Sequence, residues 1–243
     1  MNITVICGNN EKLNDAEKLA KRLGLSLSDK PGDGLSLVYD TDGLTLSGYG
    51  LFYRCDFEAL LKRVTGGHIQ HEMLLRVAKT KTENPTAIDA TAGMGEDSFL
   101  LAAAGYNVTL FEKDPVIAAL LADGLRRAAE NPQLLGITGR MTLIEGDSTE
   151  HLSEHTGAEL IYLDPMFPAR RKSGLVNKKL QLIQHLEQPC VDEKSLFDAA
   201  IAAKPHKIII KRPLKGEFLA GVKPQYSVKG KAIRYDCFVL NQR

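Results

Sequence analysis

Between residues 86 and 164 the chain alternates short apolar runs with amphipathic ones, and each apolar run ends on or beside an acid. The runs are Ala87-Ile88-Asp89, Val108 to Glu112, Met141 to Glu145 followed by Gly146-Asp147, and Ile161-Tyr162-Leu163-Asp164. Short apolar runs separated by helical patterns mean βαβ units, and repeated units mean a parallel sheet covered on both faces. The carboxyl ends of such strands share one rim, where open α/β sheets bind their ligands. Asp89, Glu112, Asp147 and Asp164 are expected on that rim. Any one of them alone reads as a helix N-cap, a place Asp favours. Four in succession make a ligand site the better account of the set.

The helices between these strands are expected from about Glu96 to Ala104, from Pro115 to about Ala129 and from Ser148 to His155. Beyond Asp164 come a basic loop, helical stretches around Lys179–Leu186 and Asp192–Ala203, and a buried strand at Lys207–Lys211. Tyr226–Val228 and Ala232–Leu240 then resemble a closing hairpin. Residues 86–243 thus predict an α/β fold, a doubly wound and mostly parallel sheet with a short antiparallel ending. Residues 1–64 read as a small α+β module. A strand over 2–7 leads to an amphipathic helix, Glu11–Leu23, stopped by Gly24. Alternating runs broken by Pro31-Gly32-Asp33-Gly34 and Asp42-Gly43 then predict a meander. Residues 65–85 form a connector, with a helix expected from His68 to Lys81. His68 and His71 can share a face, but no third metal ligand stands near, so helix-surface histidines are the preferred reading.

The Gly-rich turn after the first strand reads Ala90-Thr91-Ala92-Gly93-Met94-Gly95-Glu96-Asp97-Ser98. Gly93 and Gly95 let backbone approach a ligand at a helix start. Glu112, ending the next strand, suits two ribose hydroxyls. A nicotinamide dinucleotide meets three objections. Ser98 stands at the third glycine position, Glu96 and Asp97 put negative charge where a pyrophosphate sits, and Asp89 favours a cation. S-adenosylmethionine, with a sulfonium, an ammonium and no phosphate, answers all three, and Asp147 is placed to accept from the adenine amine.

Asp164-Pro165-Met166-Phe167-Pro168 closes the fourth strand. The prolines stop the ladder and fix the backbone. Asp164 and a turn carbonyl can then accept from an NH2 group while Phe167 stacks on a flat base; the plainer reading is a strand-end turn with a buried Phe.

With 243 residues, 44% hydrophobic and 25% charged, the chain has ordinary globular composition. Four scattered cysteines, an N-terminus without a signal pattern and no apolar run near 18 residues predict a cytoplasmic protein with neither membrane span nor disulfides. Net charge is +1 but uneven. Residues 165–243 hold 16 Lys and Arg against 6 Asp and Glu, and residues 1–164 hold 15 against 24. That asymmetry points to a polyanion at the C-terminal part.

Four segments, D-A-T-A-G-M-G-E-D-S (89–98), F-E-K-D-P-V-I-A-A-L-L-A-D-G-L (111–125), Y-L-D-P-M-F-P (162–168) and I-K-R-P (210–213), resemble the RsmJ family of 16S rRNA (guanine-N2)-methyltransferases, within the class I methyltransferases. The resemblance implies a seven-stranded Rossmann-like methyltransferase sheet. It also implies S-adenosylmethionine as cofactor, 16S rRNA or the small ribosomal subunit as partner, and no metal. It implies cofactor contacts at Glu96-Asp97, Glu112-Lys113, Asp147-Ser148 and Asp164, beside Asp89, Gly93 and Gly95. Asp164, Pro165 and Phe167 are the expected catalytic turn. Met166 departs from the second Pro of related amino methyltransferase turns. Arg170, Arg171, Lys172, Lys178, Lys179, Lys211 and Arg212 are the expected RNA contacts. Methylation of another planar amine, such as adenine N6 or a Gln amide, stays open on the turn alone. A non-catalytic RNA-binding assembly factor is the reading from a different class.

Overall fold

The computed structural model describes residues 3–32, 34–165, 182–183, 185–186 and 192–240. The first sheet comprises β1 (Ile3–Cys7), β2 (Ser26–Ser28), β3 (Leu35–Asp40), β4 (Gly43–Gly48) and β5 (Leu51–Tyr53), in the order β2-β1-β3-β4-β5. β1 runs parallel to both β2 and β3, so α1 (Leu13–Leu23) is the crossover to β2. Gly24 ends α1 at φ 64°, a left-handed turn that its lack of Cβ permits. β3, β4 and β5 form the antiparallel meander, with Gly43 at φ 114° in the first turn. The parallel pairing around β1 is not visible in the sequence, because a three-residue β2 is too short to display a period.

The second sheet comprises β6 (Thr86–Asp89), β7 (Asn107–Glu112), β8 (Met141–Glu145), β9 (Leu160–Leu163), β10 (Lys207–Pro213), β11 (Tyr226–Lys229) and β12 (Ile233–Val239). Its order is β11-β12-β10-β9-β6-β7-β8. β6 to β10 are parallel, while β12 is antiparallel to β10 and to β11. This is the doubly wound seven-stranded α/β sheet expected from the alternation. The chain winds outward from β6 to β8 and then returns to place β9 on the other side of β6. The order therefore reverses between β6 and β9, and the carboxyl ends part there into a crevice.

Among the described residues the further helices include α2 (Leu61–Val64), α3 (Met73–Ala78), α4 (Glu96–Ala103), α5 (Pro115–Ala129), α6 (Pro132–Thr138), α7 (Ser148–His151) and α8 (Glu193–Ala202). Two differ from expectation. The helix expected over 68–81 is a 3-10 turn, His68–His71, followed by α3 alone. Glu72 between them is extended, at φ −67° and ψ 117°, and its carboxylate takes both Nε and Nη2 of Arg63 at 2.8 Å. That two-pronged pair outweighs the helical spacing of the neighbouring apolar residues. The unanticipated α6 starts on Pro132, capped by Asn131, whose side chain accepts from Gln133 N. Among the described residues no helix is long and apolar enough to cross a membrane.

Helix α5 joins the two sheets. Asp114 caps it by accepting from Val116 N and Ile117 N, and Pro115 is its first residue. Val116, Ile117, Ala119 and Leu120 share one core with Val5, Leu37, Leu44 and Leu46 of the first sheet. On the same helix Leu121, Ala128 and the partly buried Leu125 belong to the core beneath β7 and β8. Asp123 adds a directional tie, accepting from Leu44 N at 2.9 Å, Arg126 Nη2 at 3.0 Å and Arg127 Nε at 2.8 Å. Burial would raise its pKa, but these donors outweigh burial and hold the carboxyl below its ordinary value. Arg127 also donates to the Cys55 carbonyl. Asp123→Ala would leave a buried N–H and a guanidinium short of their acceptor. We expect it to cost roughly 3–5 kcal/mol, read as a lower midpoint of urea unfolding, with Asp123→Asn costing less.

Candidate active site

The carboxyl ends of β6, β7, β8 and β9 border one cleft of about 1080 Å³. Asp89, Glu112, Asp147 and Asp164 all line it, as do Gly93, Glu96, Asp97, Lys113, Ser148, Pro165 and Lys211. The geometry separates residues that face the cleft from those that build it.

Asp89 is a builder. It is 1% exposed, its Oδ1 accepts from Thr91 N at 3.1 Å, and its Oδ2 accepts from Ser98 Oγ at 2.5 Å. Burial lifts its pKa from 3.8 to about 7 against those two donors. Both oxygens of Asp89 thus help to hold the turn while the residue lines the cleft. Ser98, at the third glycine position, is the hydroxyl that clamps α4 to the end of β6. Gly93 and Gly95 take φ 54° and 72°. A Cβ on Gly95 would stand 2.9 Å from Leu121 Cδ1, so glycine there also lets α4 approach α5.

Glu112 closes the turn from the β7 side. Its Oε2 accepts from Gly93 N and its Oε1 from Asp114 N, both at 2.8 Å. Burial pushes its pKa from 4.5 to about 7, opposed by those N–H groups. Each carboxylate oxygen has a second lone pair, so two ribose hydroxyls are still within its capacity. Asp147 caps α7, its Oδ1 accepting from Thr149 N at 2.9 Å and Thr149 Oγ1 at 2.8 Å. The N-cap reading of this residue is real, and no partner for Oδ2 is found among the described residues. Glu96 and Lys113 are exposed at the mouth, while Ser148 is buried.

The β9 side of the cleft centres on Lys211. Its Nζ lies 2.8 Å from Asp97 Oδ2 and 2.9 Å from Asp164 Oδ2, and Tyr162 Oη donates to the same Asp97 oxygen at 2.6 Å. Burial would weaken the ammonium, but Asp164 and Asp97 outweigh it and hold Lys211 above its ordinary value. Asp164 is pushed up by burial, against the pull of Lys211. Asp164 N donates to Thr91 Oγ1 at 2.6 Å, tying the end of β9 to the Gly-rich turn.

The Lys211 ammonium faces two carboxylates, Asp97 and Asp164. Asp97 lines the cleft with its Oδ2 engaged by Lys211 and Tyr162. Arg212 is 3% exposed, donating from Nε to Glu217 O at 2.8 Å and from Nη1 to Glu193 Oε1 at 3.2 Å, so it holds the loop after β10. Phe167, Arg170, Arg171, Lys172, Lys178 and Lys179 lie outside the described residues, as do Met166 and half of the stretch around Lys179–Leu186. The sequence reading passed over Thr91, Tyr162, Arg63 and Glu72, all of which line the cleft. Tyr162, a polar-tipped ring inside an apolar strand, carried the one signal that pointed inward.

The family model described as "Putative SAM-dependent methyltransferase" matches residues 18–240. Ribosomal RNA small subunit methyltransferase J of Pseudomonas savastanoi is 38% identical over 232 residues, 92% of this chain and 86% of that one. The chain belongs to the RsmJ family. The Thioalkalivibrio sulfidiphilus relative of the same name is 39% identical, covering 92% of both chains. Among solved structures, the SAM-dependent methyltransferase from Neisseria gonorrhoeae superposes with a TM-score of 0.78 at 30% identity, over 98% of this chain and 96% of that one.

S-adenosylmethionine is therefore the cofactor of this RsmJ chain, and the donor set suits it. Among the described residues the cleft is lined by nine Asp and Glu and three Lys and Arg. Such a cleft favours a net-positive ligand and disfavours a pyrophosphate.

The raised carboxyls make stability depend on pH in a defined direction. Glu112 holds its proton up to about pH 7 in the fold but releases it near 4.5 when unfolded. Between those values the native state binds more protons, so this group lowers stability as pH rises, by roughly 3 kcal/mol across the window. Below it both states are protonated and the slope vanishes. Glu112→Gln should therefore gain on the wild type between pH 5 and pH 8 in urea unfolding. A difference that stays constant with pH would show that Glu112 does not titrate in this range.

Proposed function

We propose that this chain methylates the exocyclic N2 amine of a guanosine in small-subunit ribosomal RNA. What supports the reading is Asp164 with Pro165 at the switch-point end of β9, on a cleft it shares with Glu112 and Asp147, in a chain whose relatives are named for this RNA. In this proposal residues 86–243 carry the transfer, 1–64 form an accessory module and 65–85 connect them. A reducing cytoplasm is the compartment that suits an RNA substrate and the free thiols of Cys55 and Cys237.

Bound S-adenosylmethionine supplies a methyl group activated by its sulfonium charge. Glu112 would hold the ribose hydroxyls, Asp147 and Ser148 the adenine, and Glu96 the ammonium. Lys211 occupies Asp164 Oδ2, which leaves Oδ1 to accept from the guanine N2 amine. The Pro165 carbonyl accepts the other N–H, and Phe167 stacks on the base. Guanine N2 is a poor nucleophile because its lone pair is delocalised, and two acceptors on its hydrogens favour the localised form. The amine sheds one proton on transfer, and Asp164, with its affinity for protons raised by burial, is the group to take it. Positioning of this kind supplies about 7–11 kcal/mol. A paired base must leave its stack to reach the cleft. The basic residues from Arg170 to Lys179, immediately after the turn in sequence, would hold the flanking phosphates.

The deciding experiment incubates the protein and methyl-labelled cofactor separately with 30S subunits, naked 16S rRNA and DNA, then maps the label. N2-methylguanosine in small-subunit RNA is expected; label on adenine N6, on DNA or on protein would overturn the reading. Asp164→Ala should lower kcat by about 100-fold or more while cofactor binding persists; near-normal turnover would remove Asp164 from the acceptor site. Charge reversal at Arg170 and Arg171 should weaken RNA binding and reduce its salt dependence, by a log–log slope of about 1 per lost phosphate contact.

A further inference from the structure

We propose that Arg63, on α2, recognises the α-carboxylate of the cofactor's methionine moiety, so that the segment preceding the catalytic sheet completes the cofactor site. The inference rests on S-adenosylmethionine as cofactor and is independent of which RNA atom is methylated.

The cofactor is cationic at sulfur and nitrogen but also carries one carboxylate, which must find a cation in an acidic cleft. Among the described residues, the Lys and Arg that line it are Arg63, Lys113 and Lys211. Lys211 is enclosed between Asp97 and Asp164 at 2.8 and 2.9 Å. Lys113 follows Glu112 at the end of β7, and its charge acts on that carboxylate. It therefore stands beside Glu112, at the expected ribose position. Arg63 remains, and its fork is already aimed. Nε and Nη2 each donate to Glu72 at 2.8 Å, which fixes the guanidinium plane. Nη1 makes no hydrogen bond among the described residues; its nearest charged partner is Glu96 Oε2 at 4.0 Å.

The charge count around this nitrogen selects the ligand. Arg63, Glu72 and Glu96 sum to −1, so a bare anion such as an RNA phosphate gains nothing by approaching. A zwitterion does gain. Its carboxylate takes Nη1 while its ammonium, two bonds away, meets Glu96 at the start of α4. The amino-acid end of the cofactor has this arrangement, and Glu96 lies on the turn that carries Gly93 and Gly95. An Arg held by a second carboxylate loses little side-chain entropy on binding, which strengthens a charge-assisted contact.

The test is calorimetric and needs no RNA. Wild type, Arg63→Gln and Arg63→Lys are each titrated with S-adenosylmethionine and with decarboxylated S-adenosylmethionine, which keeps the ammonium and sulfonium but lacks the carboxylate. Arg63→Gln should weaken S-adenosylmethionine by about 10- to 100-fold and leave the decarboxylated ligand within about 2-fold of its wild-type affinity. Arg63→Lys should recover part of the difference. Retained binding of the decarboxylated ligand also reports that the variant is folded. Equal losses for both ligands would assign Arg63 a purely structural role through Glu72 and overturn the proposal. So would unchanged affinity for both. Failure of the cofactor assignment itself is distinct, since the wild type would then bind neither ligand.

Discussion

Lys211 stands between two carboxylates that belong to different parts of the fold, Asp97 in the first turn of α4 and Asp164 at the end of β9. Without an ammonium between them, two acids this close in a poorly solvated crevice would repel, and one would take up a proton. With it, the trio carries a single negative charge, and the Tyr162 hydroxyl adds a fourth member from within the sheet. Thr91 accepts from Asp164 N on the opposite flank. The Gly-rich turn and the end of β9 are thereby tied together, and Glu112 fixes the same turn to β7 through Gly93 N. The carboxyl ends of β6, β7 and β9 are thus joined by side chains, an arrangement that suits the proposed transfer, which relies on positioning.

The architecture was open to reading because its signals are local. Short apolar strands, Gly105 after one helix, Pro115 at the head of the next and acids at strand ends all follow from residues within a few positions of each other. What each acid does was not, because the partners are remote in sequence. Asp97 meets Tyr162 and Lys211, which are 65 and 114 residues away. Asp89 and Ser98 satisfy one another, although in sequence the first resembles a ligand and the second a missing glycine. Lys211 and Arg212 look like surface cations until the sheet is covered on both faces. Successive residues of β10 then point into two different layers, and each cation must find carboxylates or carbonyls there.

The same limit explains the connector. Ile69, Met73, Leu74, Val77 and Ala78 do fall at helical intervals. Yet the backbone breaks at Glu72 because its carboxylate is drawn to Arg63, nine residues earlier, across the rim of the cleft. A local preference worth a few tenths of a kcal/mol per residue yields to a two-pronged ion pair at a partly buried position. Departures from periodicity in this chain thus mark the places where a side chain is committed to the cleft.

The shared position of α5 has a consequence for the order in which the polypeptide can take shape as it leaves the ribosome. Leu44 donates its N–H to Asp123, 79 residues later in the chain. At the usual pace of synthesis that is roughly 4 to 16 s during which the meander exists without the helix that covers it. Through that interval Leu37, Leu44 and Leu46 have no α5 to pack against, and the meander's edges stay available to other chains. These strands thus begin as a nascent apolar surface awaiting its cover.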